Sequence, residues 1–87
     1  MCELILTLNA EQDLQCLDTK LRRQILEKLD WICENCHKPI HKYLRHNYKG
    51  QCKLRFKGHR VIYTYDRSTA TVEVSRIENR SSVYKKR

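Results

Sequence analysis

Cys52-Lys53-Leu54-Arg55-Phe56-Lys57-Gly58-His59-Arg60-Val61-Ile62-Tyr63 is the stretch on which the fold turns. Cys52, Leu54 and Phe56 alternate with Lys53, Arg55 and Lys57. Beyond Gly58, Val61, Tyr63 and Tyr65 alternate with Arg60, Ile62 and Thr64. A period of two is that of a strand with one buried face. Glycine accepts positive φ without a Cβ clash, so Lys57-Gly58 suits a two-residue hairpin turn. With that loop, Phe56 faces His59, Arg55 faces Arg60, Leu54 faces Val61 and Lys53 faces Ile62 across the ladder. One face then collects Cys52, Leu54, Phe56, Val61 and Tyr63 for the core. The other collects Gln51, Lys53, Arg55 and Arg60.

Downstream, Asp66 to Thr69 reads as a second turn, followed by a strand carrying Val72 and Val74. Upstream, Leu21, Ile25, Leu29 and Ile32 recur at helical spacing, with Leu26 and Trp31 widening the apolar stripe and Asp18 and Thr19 as the cap or break before it. Pro39 limits this helix, and residues 37–50 read as a loop. Leu4, Leu6 and Leu8 alternate along a first strand, Glu3 to Leu8. Asn9 with Gln12 three residues on has the spacing of a capping box, which predicts a first helix from about Ala10 with Leu14 and Leu17 inward. A strand, two helices and an antiparallel meander of three strands make an α+β domain with the helices packed on one sheet face.

Eighty-seven residues hold one core, so residues 1–87 are expected to form a single domain. Eighteen Lys and Arg against ten Asp and Glu give a net charge of +8 and a pI near 9.5, which points to an anionic partner. The hairpin sharpens that reading. Two arginines directly opposite each other repel, by a few tenths to about 1 kcal/mol, unless something anionic sits between them. A solvated polar face is the plain alternative, and Glu73 on the next strand is placed to neutralise part of it. The C-terminal stretch adds Arg76, Arg80, Tyr84, Lys85, Lys86 and Arg87. Arg80 and Tyr84 would share one side of a final helical turn.

Met1 opens onto a strand pattern without an export signal, and the apolar runs are too short to span a membrane, which places the chain in the cytoplasm. There the five cysteines, Cys2, Cys16, Cys33, Cys36 and Cys52, are expected to be free thiols. Cys33-Glu34-Asn35-Cys36-His37 spells a c-type haem attachment pattern, but that chemistry requires export. Cys33, Cys36 and His37, with His41 and His46, would supply zinc ligands. Because Cys33 and Cys36 coincide with the end of an amphipathic helix, they are assigned to packing, with no metal and no cofactor. His59 beside Arg60 is suited to proton transfer near neutral pH, or is simply a strand residue next to the turn.

The order of two helices from Leu14 to Ile32, then Lys53-Leu54-Arg55, Gly58-His59-Arg60-Val61-Ile62-Tyr63, and finally Arg80-Ser81-Ser82-Val83-Tyr84, resembles the RelE/ParE-type toxins of type II toxin–antitoxin pairs over nearly the whole chain. The resemblance is closest to the RelE branch. It implies an endoribonuclease that cleaves messenger RNA in the ribosomal A site, by attack of the ribose 2′-OH on the adjacent phosphate, without metal. It also implies the ribosome and a cognate antitoxin as partners, the latter in a hetero-oligomer. Lys53 and Arg60 look like the family's catalytic basic residues, Arg80 like its C-terminal arginine, and Tyr84 like the tyrosine of the reaction or of base stacking. Arg55, Gln51, Lys57, His59 and Arg76 are expected to contact RNA around them. Such cations stabilise the charge that builds in a phosphorane-like transition state. Lys53 leads as acceptor of the 2′-OH proton, since Arg55 and Arg60 lie close. Gln51 stands where RelE has a second lysine, and Glu78-Asn79 where relatives are more basic. A ParE-like inhibitor of DNA gyrase and a noncatalytic nucleic-acid-binding module are the alternatives.

Overall fold

The computed structural model describes residues 1–43 and 50–79. Along the chain run β1 (Glu3–Leu6), α1 (Leu8–Gln15), α2 (Thr19–Glu34), β2 (Lys42–Tyr43), β3 (Gln51–Phe56), β4 (His59–Asp66) and β5 (Thr71–Asn79). The strands form one sheet in the order β1-β5-β4-β3-β2. β1 pairs with β5 in parallel, and the other neighbours are antiparallel. The α+β architecture with the helices on one face is the one expected from the residue pattern.

The hairpin has the expected register, Phe56 opposite His59, Arg55 opposite Arg60, Leu54 opposite Val61 and Lys53 opposite Ile62. Its turn is tight because Lys57 and Gly58 both take positive φ, 49° and 80°. Positive φ at both central residues gives a turn whose twist matches that of the flanking strands.

The start of the chain departs from expectation. β1 ends at Leu6, and the N-cap of α1 is Thr7 instead of Asn9. Thr7 serves both elements at once. Its backbone N–H donates to Val74 O at 3.0 Å, its hydroxyl donates to Ser75 O at 3.1 Å, and the same hydroxyl accepts from Ala10 N–H at 3.2 Å. With the cap satisfied there, Asn9 falls inside the first helical turn and Leu8 is left exposed. The second difference is β2, which lies within the segment expected to be a loop. A two-residue strand is too short to show a period.

A β-bulge sits between β4 and β5, where Ile62 pairs with Arg76 but Tyr63 with Val74, leaving Ser75 as the extra residue. Ser75 Oγ donates to Ile62 O at 3.2 Å. The extra residue reverses the alternation, so Val74 and Ile77, three apart, both face the core. Strict alternation does not anticipate Ile77.

The core joins Leu14, Ile25, Leu29 and Ile32 of the helices to Val61, Tyr63, Val72, Val74 and Ile77 of the sheet, with Leu21, Leu54 and Phe56 partly buried against it. Trp31 is not part of the apolar stripe: it is 53% exposed. Arg22 fastens the helix corner, its guanidinium donating to Leu14 O and Leu17 O at 3.1 Å each. Those carbonyls lie at and just beyond the end of α1, where helix C=O groups lack intrahelical partners, and Leu14 O accepts from Leu17 N–H as well. Ile25 is 0% exposed, so Ile25→Ala is expected to cost about 2–5 kcal/mol in a denaturant titration, through lost burial and the cavity left behind. A loss below about 0.5 kcal/mol, the size of a surface change, would refute its core placement.

The cysteines also differ from expectation. Cys2 and Cys36 are joined by a disulfide with a Cα–Cα distance of 6.2 Å, while Cys16, Cys33 and Cys52 are free. β1 lies beside β5, which carries the N-terminus across the end of α2, where Cys2 N–H donates to Cys33 O at 2.9 Å. A pairing across 34 positions has no local signature.

Candidate nucleic-acid interface

On the face of the sheet away from the helices, alternation sorts side chains into rows that run across the strands. Nearest the hairpin, Arg55, Arg60 and Glu78 stand side by side on β3, β4 and β5. The next row holds Lys42, Lys53, Ile62 and Arg76 from β2 to β5. The third holds Gln51, Thr64 and Glu73. Neighbouring strands are about 4.8 Å apart, and diagonal neighbours such as Lys53 and Arg60 about 7–8 Å, so one phosphate group between them can touch both.

Among the described residues the like charges are managed on one side only. Arg60 donates through Nε and Nη2 to a single oxygen of Glu78, at 3.1 and 2.7 Å. This pair is partly exposed, 44% and 31% for the two side chains, and such pairs contribute at most about 1 kcal/mol. An incoming phosphate can therefore compete for the guanidinium. Lys42 opposite Lys53 and Arg55 opposite Arg60 keep the rest of the surface cationic. Glu73 joins this face, as the residue pattern suggested, but it is Glu78 that meets the arginine.

Gln51, Lys53, Arg55 and Arg60 are brought together as expected from the hairpin. Arg76 reaches the same face but is turned to its far edge, where its Nε donates to Asp13 Oδ2 at 3.0 Å. Asp13 also accepts from Ile77 N–H at 2.8 Å, closing the edge of β5 that β1 leaves open. Arg76 thus has a structural partner. Lys57 sits in the turn, with Nζ donating to Gln24 Oε1 at 3.4 Å and lying 5.4 Å from the Phe56 ring centre. His59 is not on the cationic face at all. It pairs with Phe56 on the helix side, its Nδ1 contacts Lys57 O at 3.1 Å, and its Nε2 is buried with no partner among the described residues. Arg80 and Tyr84 lie outside the described residues.

Two features of this surface were not legible in the pattern. Lys42 falls in the segment whose pattern predicts a loop, yet it lies in β2. Trp31, read as core, instead lines a cleft of about 550 Å³ between α2 and the β2–β3 edge, with Lys28, Lys42, Lys53 and Arg55 supplying cations and Ile32, Leu54 and Tyr63 an apolar wall.

The two buried free thiols, Cys52 and Cys33, are not suited to nucleophilic chemistry. Burial pushes the Cys52 thiol up to about 11, against a smaller opposing effect of the Tyr63 hydroxyl, and burial with the nearby Asp30 charge pushes Cys33 up as well. Thiols held neutral are poor nucleophiles. What the face offers is a fixed array of cations.

Against this geometry, the sequence profile of the ParE toxin of type II toxin–antitoxin systems matches residues 4–84. The chain belongs to this family of toxins. No curated protein matches the toxin in sequence. Its fold is similar to that of the isolated E. coli RelE toxin, with a TM-score of 0.78 at 24% identity, covering 97% of this chain and 92% of that one. A RelBE2 toxin–antitoxin complex from Mycobacterium tuberculosis matches with a TM-score of 0.78 at 23% identity, covering 91% of this chain and 98% of that one. The RelB–RelE antitoxin–toxin complex from Methanococcus jannaschii gives 0.72 at 17%, covering 92% and 94%. At these identities the likeness is one of fold. Among the described residues of the toxin no helix is long and apolar enough to cross a membrane.

Proposed function

We propose that this toxin is a RelE-type endoribonuclease that cleaves messenger RNA in the ribosomal A site, working in the cytoplasm without a metal ion or cofactor. The observation that carries the reading is the adjacency of two cationic rows, Arg55 with Arg60 and Lys42 with Lys53, on an open sheet face. In the reaction the ribose 2′-oxygen bonds to the adjacent phosphorus and the bond to the 5′-oxygen breaks. The 2′-OH proton passes to a base, for which Lys53 is the candidate, and a proton is returned to the leaving oxygen. Arg60 and Arg55 stabilise the charge that accumulates on the phosphoryl oxygens. Arg80 and Tyr84 are proposed to complete the site from the C-terminal stretch, Tyr84 by stacking on a base. Gln51 is proposed as a neutral contact to RNA, and Lys57 as a rim cation.

The partner proposed is a cognate antitoxin, as in the RelB-containing complexes of similar fold. The cleft beside Trp31 has an apolar wall and cationic edges, a combination suited to an amphipathic acidic segment that folds on binding.

A second reading is gyrase inhibition of the ParE kind. It is favoured by the matching profile and by Glu78, which occupies Arg60 in the free chain. Primer extension on a translated messenger separates the two. Ribosome-dependent stops within codons are expected, with no effect on supercoiling by purified gyrase. The opposite pair of results overturns the nuclease assignment.

The cleavage is also expected to survive EDTA. Among the described residues, the groups of His, Cys, Asp and Glu with metal-ligand spacing reduce to Cys2, Cys36 and His37, away from the cationic rows. Activity lost on chelation and restored by a divalent cation would contradict the proposal.

A further inference from the structure

The Cys-x-x-Cys-His run at the end of α2 takes no part in the cationic face, yet the structure gives it a new third member. Cys2 Sγ, Cys36 Sγ and a ring nitrogen of His37 all lie within 4.8 Å of one another. Cys33, the ligand that spacing alone suggests, is not in this group. Tetrahedral zinc, with Zn–S near 2.3 Å and Zn–N near 2.0 Å, sets its ligand atoms about 3.3–3.8 Å apart, which rotation of these side chains can reach.

The surroundings are ordered as a metal site's are. Cys2 is held over the helix end by its N–H bond to Cys33 O at 2.9 Å. The Tyr65 hydroxyl is 2.6 Å from His37 Nδ1, which fixes the ring and leaves Nε2 for a metal. A partner on the second ring nitrogen is what metal-bound histidines generally have. His41 is spoken for: its Nδ1 contacts Tyr63 OH and its Nε2 contacts Cys36 O, both at 2.8 Å, while its ring stacks on Tyr65 with centres 4.4 Å apart. Cys2 and Cys36 are buried and His37 is exposed, so a fourth position is open to water from the outer side.

We propose that Cys2, Cys36 and His37 form a redox-gated site for a thiophilic divalent cation, zinc being the natural occupant. Two thiolates and an imidazole are a soft donor set that favours zinc over magnesium or calcium. In the oxidised chain the sulfurs are bonded to each other and cannot ligate as thiolates. A dithiol reductant delivers two electrons and two protons to the disulfide, giving two thiols, and is itself oxidised to a disulfide. Zinc then binds and displaces the two thiol protons to solvent. Either link, disulfide or metal, ties the N-terminal strand to the end of α2. The site lies on the helix side of the sheet, as Tyr63 and Tyr65 do, so occupancy leaves the cationic face as it is.

The test uses the full chain, reduced with a phosphine, freed of reductant without air, and titrated with Co²⁺. One equivalent is expected to give the intense visible bands of tetrahedral cobalt and a thiolate-to-cobalt charge-transfer band, both erased by one equivalent of Zn²⁺. Oxidised protein should give neither band. Cys2→Ser should abolish them, Cys33→Ser and Cys16→Ser should leave them, and Tyr65→Phe should weaken binding about ten-fold. Octahedral cobalt only, equal binding by the oxidised chain, or a signal lost with Cys33→Ser and kept with Cys2→Ser overturns the proposal. Should Cys2→Ser not fold, the comparison of reduced with oxidised wild type decides.

Discussion

Lys53→Ala and Arg60→Ala are each expected to slow messenger cleavage about 10²–10³-fold, the loss seen when one preorganised charge is removed from a transition state, equivalent to about 2.7–4 kcal/mol. The expectation rests on their rigid placement. Both stand on interior stretches of paired strands, with Lys53 between β2 and β4 and Arg60 between β3 and β5. Strands hold a charge where it is needed without reorganisation during the reaction, which is why the rate should fall more than the affinity. Arg80→Ala is expected to behave in the same way. The measurement is single-turnover cleavage on programmed ribosomes, with binding followed separately. If all three variants cleave at the parent rate and lose only affinity, in proportion to charge removed, the face is a docking patch. Glu78→Gln provides the internal comparison. It removes the group that holds Arg60 and should tighten RNA binding while leaving the fold unchanged.

Much of this surface is legible in the sequence, and the reason is local. The hairpin register follows from two residues, Lys57 and Gly58, and a period of two. Once the turn is placed, the opposition of Arg55 to Arg60 and of Lys53 to Ile62 has no freedom left. What escaped were features set by distant contacts. Thr7 took the cap from Asn9 because β5 lies beside it and accepts two of its hydrogen bonds. Ile77 entered the core because Ser75 bulges. Lys42 joined the cationic rows because two residues of β2 found β3, and Cys2 met Cys36 because β1 runs parallel to β5 at the far side of the sheet. The resemblance places His59 among the RNA contacts, yet alternation already sets it on the opposite face from Arg60, where it pairs with Phe56.

Expressing the chain alone is expected to arrest growth, and co-expressing an adjacent small open reading frame that encodes its antitoxin is expected to restore it. Membership in the family makes toxicity the first property to test, and the cationic face supplies a physical route to neutralisation. Arg55 opposite Arg60 and Lys42 opposite Lys53 are repulsive pairs in the free chain, relieved on one side by Glu78 and otherwise open among the described residues. Carboxylates brought by a partner would relieve them and at the same time exclude RNA. Charge alone is not enough for tight binding, because an antitoxin segment that folds on contact loses conformational entropy, which burial of apolar side chains must offset. The exposed Trp31 and the apolar wall beside it offer that burial next to the cations. Trp31→Ala is therefore expected to weaken the antitoxin complex by about 2 kcal/mol or more, roughly 30-fold, as truncation of a central aromatic anchor does. Cleavage by the free toxin should change far less. If Trp31→Ala leaves antitoxin affinity intact while Arg55→Ala and Lys42→Ala abolish it, the antitoxin sits on the cationic rows without entering the cleft. If the folded wild-type chain is harmless at high expression, a noncatalytic nucleic-acid-binding role accounts better for the same cationic rows.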